Sequence, residues 1–118
     1  MQSPHRLRRR QDFDRARQRG RSTRSTLLIL NAVRTADDVT RCGFNVSRRV
    51  GKAVVRNRVR RRLREIMRQA LPALDGGWDL VLVARPGAAQ ATFQTLRAAV
   101  DELLGRARVA TAERAGAS

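Results

Sequence analysis

The sequence predicts an α/β fold of order αβββαβα, one four-stranded mixed sheet with helices packed on it. Three observations lead there. Stretches 51–68 and 91–104 carry apolar residues at three- and four-residue steps, the period of a helix with one buried face. Residues 26–33 and 78–85 are apolar runs too short and too continuous for surface helices, and 41–47 alternates Cys42, Phe44 and Val46 with Gly43, Asn45 and Ser47. The breaks between them fall at Gly20, Pro72, Gly76-Gly77 and Pro86-Gly87, residues that punctuate chains for steric reasons.

Taken in order, residues 1–10 form a basic arm with Leu7 as its anchor. A short helix then begins at Asp12, with Phe13 and Ala16 on its inner edge and Arg15 and Arg19 outside, closed by Gly20 in the usual C-terminal position. Residues 21–24 read as a short edge strand, 26–33 and 41–47 as the next two strands, with a loop at Asp37-Asp38 between them. Arg48-Arg49-Val50-Gly51 is the turn into the large helix. Pro72 is expected to end that helix by pushing the residue before it out of the α region. The run 78–85 is nearly all apolar, as in a strand covered on both faces. The helix at 91–104 turns Phe93, Leu96, Val100 and Leu103 inward, with Gly105 just beyond its end. Residues from Arg106 onward have little to bury, so a single domain over 1–106 and a frayed tail over 107–118 are expected.

The large helix carries the chemistry. Val55, Val59, Leu63, Ile66 and Ala70 form its apolar face; at roughly 100° per residue, Asn57, Arg61, Arg64 and Arg68 point away from it, flanked by Arg60 on one side and by Arg58 and Arg62 on the other. Seven arginines lie between Arg56 and Arg68, offset by Glu65 alone. A solvated helix normally mixes signs; this one repels itself, and an external polyanion would complete it. The whole chain agrees: 118 residues carry 26 Lys+Arg against 10 Asp+Glu, a formal net charge of +16. Lys52 is its only lysine, and guanidinium groups hold phosphates in pairs of hydrogen bonds and stack on bases. Nucleic acid is the leading partner class.

An active site within the chain is not expected. The acids are scattered as caps, turn residues and solubilising charges, with no convergent carboxylates; His5 is the only histidine and has no metal-binding company; no phosphate-binding glycine loop is present. Cys42, the only cysteine, reads as a buried inert thiol, and nothing points to an oxidising compartment. The basic N-terminus lacks the apolar run of a secretory signal, and no stretch approaches the length of a membrane span. A cytoplasmic protein with no membrane partner is expected.

Asp12-Phe13, Gly20, Gly43, the series Val46-Ser47-Arg48-Arg49-Val50-Gly51-Lys52-Ala53-Val54, Arg56-Asn57-Arg58, Arg61, Leu63-Arg64-Glu65, Asp79-Leu80-Val81 and Ala84-Arg85-Pro86 together resemble the protein subunit of bacterial ribonuclease P. The resemblance spans roughly residues 6–104. It implies an α+β sandwich with a left-handed crossover through the arginine helix, where the general handedness rule would favour the opposite. It implies a noncatalytic subunit of an endoribonuclease: a catalytic RNA bearing magnesium removes the 5′ leader of precursor tRNA. The protein binds that RNA and the leader and promotes substrate and magnesium binding, one protein per RNA. Carried over by position, Arg56, Asn57, Arg58, Arg60, Arg61 and Arg64 face the catalytic RNA, with Arg68 on the same side, and Arg48, Arg49 and Lys52 extend the patch. The leader is expected in a groove between the first helix and the sheet, near Arg9, Phe13, Arg17 and Asn31. Phe13 would be its stacking platform, although simple core packing explains that ring equally well. The family often has further aromatics near Arg17 and Asn31, and a guanidinium at Arg17 can stack in such a place. A plain binding module, such as a ribosomal protein of similar charge, is the alternative.

Overall fold

The structure, a computed structural model, describes residues 5–74 and 76–109. Helix α1 spans Arg10–Arg19, strand β1 Arg21–Arg24, β2 Leu28–Arg34, β3 Arg41–Asn45, helix α2 Ala53–Ala70, strand β4 Trp78–Ala84 and helix α3 Phe93–Arg106. Short 3-10 turns, Leu71–Ala73 and Pro86–Gln90, bracket β4. The sheet order is β1-β2-β4-β3, antiparallel except that β3 and β4 run parallel, joined by the crossover through α2. The mixed four-stranded architecture is thus the one predicted.

Strand alternation makes two cores. Leu28, Leu30 and Ala32 of β2 and Leu80, Leu82 and Ala84 of β4 face α2 and α3, meeting Val59, Leu63, Ile66 and Met67 from one helix and Leu96, Val100 and Leu103 from the other. The odd positions point the other way, where Val33, Val81 and Val83 pack with Leu7, Phe13 and Ala16. Truncating any of the buried leucines to alanine should cost about 2–5 kcal/mol. The sheet is therefore covered on both sides, with α1 alone on its second face. The basic arm is anchored at Leu7 as expected: its N–H donates to the Cys42 carbonyl at 2.8 Å, and Arg6 bridges to Cys42 in parallel at the β3 edge.

Local reasons differ from the predicted ones at several points. Helix α1 starts at Arg10, and Asp12 lies in its first turn. Gly20 is extended (φ −81°, ψ 163°); glycine is needed there because a Cβ would run into the carbonyls of Ala16 and Ala32. Strand β2 begins at Leu28 because Ser25 folds residues 25–28 into a turn, its Oγ accepting from the N–H groups of Leu27 and Leu28. Helix α2 does end ahead of Pro72, but Leu71 keeps helical angles (φ −54°, ψ −42°). The proline opens a 3-10 turn, where its missing N–H is not called upon.

The largest correction concerns the C-terminal end. Helix α3, capped by the Thr92 hydroxyl accepting from Thr95 N–H, runs through Gly105 to Arg106. Arg108 then takes a left-handed conformation (φ 60°), the Arg108 N–H donates to Gly105 O and the Val109 N–H to Leu104 O, at 3.1 Å each. This is a Schellman turn with arginine where glycine is usual. It swings Val109 into the core at 0% exposure, with Ala107 at 3%. The expected fraying from Arg106 is therefore wrong over 106–109. The rest of the expected tail, from residue 110 onward, lies outside the described residues.

Candidate nucleic-acid interface

Helix α2 buries the predicted Val59, Leu63 and Ile66 and, in addition, Met67, while Val55 and Ala70 at its ends are half-buried. Of the residues expected to point away, Asn57, Arg61 and Arg68 are exposed and Arg64 is half-buried. Arg48, Arg49 and Lys52 stand exposed in the turn before it, continuing the same cationic surface. No acidic residue occupies the first turn of α2, so nothing within it offsets the partial positive charge of the helix start.

The arginines of this helix divide by what accepts their hydrogen bonds. Arg58 donates to the Ala89 carbonyl at 2.9 Å and Arg62 to the Ala91 carbonyl at 2.7 Å, tying α2 to the turn between β4 and α3. Arg60 reaches the Val46 carbonyl at 3.2 Å and Asn57 Oδ1 at 3.1 Å, which orients that amide. Arg68 lies along Glu65, with Nε and Nη2 donating at 2.8 and 2.5 Å. That hydrogen bond, with Gln69 beside it, holds the Glu65 carboxyl down to about 2. Among the described residues, no carboxylate pairs with Arg48, Arg49, Lys52, Arg56, Arg58, Arg60, Arg61, Arg62 or Arg64.

Two depressions flank the arm on the α1 side. One, about 480 Å³, is lined by Arg6, Leu7, Arg8, Phe13, Cys42, Gly43, Phe44, Arg60 and Arg64, and so joins α1 to the arginine helix around the β3 edge. Phe13 lies so close over Gly43 that a Cβ there would strike its ring. The other, about 450 Å³, is lined by Arg6, Arg8, Arg9, Gln11, Asp12, Arg15 and Arg41. Of the predicted groove residues, Phe13 lines the first and Arg9 the second. Arg17 lines neither; it is exposed, 3.4 Å from Asp14. Asn31, 7% exposed, is buried on the α1 face of β2, opposite Ser22 and Val81.

Phe44, Arg6 and Arg8 were not singled out from the sequence. A signal existed for each: Phe44 is one of few aromatics and precedes the arginine turn, and an anchored Leu7 places an arginine on either side of it.

Two acids, expected only as caps, turn residues or solubilising charges, are buried: Asp79 is 0% exposed within β4, and Asp12 is 5% exposed. Arg41 grips Asp79 with two hydrogen bonds of 3.0 and 2.8 Å and lies 3.7 Å from Asp12. Arg15 pairs with Asp12 and approaches Asp79 at 4.0 Å. The pairing with Asp79 raises the Arg41 pKa further above its usual range. These four side chains fasten α1 to the sheet. Burial pushes the Cys42 thiol up, keeping it protonated and inert, as its strand position suggested. The His5 Nδ1 lies 3.0 Å from the Thr40 carbonyl.

Among the described residues, no group of three or more His, Cys, Asp or Glu side chains gathers to hold a metal ion, and no helix is long and apolar enough to cross a membrane. What the site offers is a ridge of guanidinium groups beside one depression lined by two aromatic rings, chemistry suited to phosphates and bases.

Known proteins resemble this chain over most of its length. The profile of the Ribonuclease P family matches residues 1–108. The ribonuclease P protein component of Roseiflexus castenholzii is 44% identical over 110 residues, covering 92% of this chain and 90% of its own; that of Chloroflexus aurantiacus is 46% identical over 108 residues, covering 91% and 80%. Among solved structures, the RNase P protein of Staphylococcus aureus superposes with a TM-score of 0.82 at 25% identity over 89% of this chain and 96% of that one. The Thermotoga maritima RNase P protein gives 0.77 at 31% identity over 86% and 96%. On sequence and fold alike, this chain belongs to the ribonuclease P protein family.

Proposed function

We propose that this chain is the protein component of a ribonucleoprotein endoribonuclease that removes the 5′ leader of precursor tRNA. In this reading the protein binds and positions, and a catalytic RNA cuts. The carrying observation is the contiguous face of Arg48, Arg49, Lys52, Arg61 and Arg64, which no carboxylate of the described residues neutralises. Arg61 and Arg64 engage phosphates of the catalytic RNA, and Asn57, its Oδ1 occupied by Arg60, offers its amide N–H groups. Arg56, Arg58, Arg60 and Arg68 add positive potential along the same helix.

The leader runs through the depression that holds Phe13, entering beside Arg60 and Arg64 and leaving past Arg6 and Arg8 toward Arg9. A base stacked on Phe13 would contribute about 1–3 kcal/mol. Arg17 and Asn31 sit off this path. Magnesium is held mainly by the RNA, and the cationic ridge draws RNA and substrate phosphates together around it. One protein per RNA, acting in the cytoplasm, completes the reading.

The test is reconstitution. The purified protein alone should leave precursor tRNA intact, and adding the cognate catalytic RNA at low magnesium should restore 5′ processing. Cleavage by RNA-free protein would move the chemistry onto these side chains. Recovery of the protein on ribosomal particles, without a ribonuclease P RNA, would favour a plain binding module.

A further inference from the structure

The ridge of α2 has a second flank. There Arg58, Arg61, Arg62, Glu65 and Phe93 line a depression of about 390 Å³ between α2 and the start of α3, on residues distinct from those around Phe13. We propose that this depression receives one unpaired nucleotide of the RNA partner, its base against Phe93 and its phosphate against Arg61 and Arg62. The inference rests on the RNA-bound reading above and adds a base-holding site to it.

Three observations support it. Phe93 is half-buried at the first position of α3; it packs against the core yet contributes to an open hollow. An aromatic ring set beside guanidinium groups is the arrangement that single-stranded nucleic acid uses, ring for base and cation for phosphate. Two of the guanidiniums are held before any ligand arrives, because the carbonyls of Ala89 and Ala91 fix Arg58 and Arg62. A pre-set cation loses less side-chain freedom on binding than a mobile one. The one acid on the rim, Glu65, is engaged by Arg68 and Gln69, so its charge is largely offset. The depression, about 390 Å³, holds a single aromatic ring, so one extruded base of a folded RNA is the occupant it matches.

The test compares wild type with Phe93→Leu and Phe93→Trp, using a transcript of the catalytic RNA and, separately, a 5′ leader oligonucleotide. Phe93→Leu keeps an apolar side chain in the core and removes the stacking plane. It should weaken binding of the transcript by on the order of tenfold, leave the salt dependence and the leader affinity unchanged, and remain folded by thermal melting. Phe93→Trp should bind like wild type. Transcript affinity within twofold of wild type in folded Phe93→Leu overturns the proposal. Should Phe93→Leu not fold, Phe93→Trp in a Trp78→Phe background decides: quenching of its fluorescence by saturating transcript is expected, and unchanged fluorescence overturns the site. If wild type itself does not bind the transcript, the reading beneath falls, a result distinct from binding that ignores Phe93.

Discussion

Beneath α1, Arg41 and Arg15 face Asp12 and Asp79, two carboxylates withdrawn from water; along α2, Arg61 is exposed and Arg64 half-buried, and neither forms an ion pair with an acid of the described residues. The side chain is the same in both regions, and its acceptor decides its work. A buried carboxylate must be matched or it destabilises the fold, so Arg41 is part of the architecture. A guanidinium without a protein acceptor is available to phosphate. Arg58 and Arg62 fall between, spending donors on the carbonyls of a neighbouring turn. A count of arginines merges three populations that the acceptors separate.

Substitutions can break or sharpen that contrast. The largest effect should come from Arg41→Met, which leaves Asp79 buried without its principal partner. A loss of about 3–5 kcal/mol in urea unfolding is expected, and the companion change Asp79→Leu should recover most of it. Next, Arg58→Ala and Arg62→Ala each remove a charged donor from a backbone carbonyl and should cost about 1.5–3 kcal/mol by the same measurement. Arg61→Ala and Arg64→Ala should lower stability by less than about 0.5 kcal/mol. Each should instead flatten the log–log dependence of RNA affinity on salt by about 0.7–0.9. An unchanged slope would merge the populations again.

The smallest effect is at Glu65, whose carboxyl, ordinarily near 4.5, is held down to about 2 by Arg68. Its contribution is complete above the ordinary value and disappears as pH falls through the lowered one. Carbon-detected NMR titration should place the midpoint near 2 in wild type. In Arg68→Ala it should return toward the ordinary range.

The sequence made one face of α2 readable because a period of 3.6 residues reports orientation directly. It says nothing about acceptors reached across the fold: the carbonyls of Ala89 and Ala91 are 31 and 29 residues from their donors. Asp79 escaped for a related reason. A polar residue at the start of an apolar strand looks like the end of a loop until the parallel register sets it beside Arg41, 38 residues away. Asn31 entered only through the family resemblance, and α1 covers the face of β2 on which it lies. Phe13 was visible as both core and platform, and its seat on Gly43 at the edge of a depression accommodates both.

The turn after α3 carries a practical consequence for anyone trimming this protein. A domain boundary drawn where the helical pattern stops would discard Ala107 and Val109, both sealed inside the larger core. Losing the valine alone would forfeit about 1.5–3 kcal/mol of burial and admit water beside α3. The last described residues act as a stopper, and a shortened chain should melt earlier although every RNA-facing arginine is still in place.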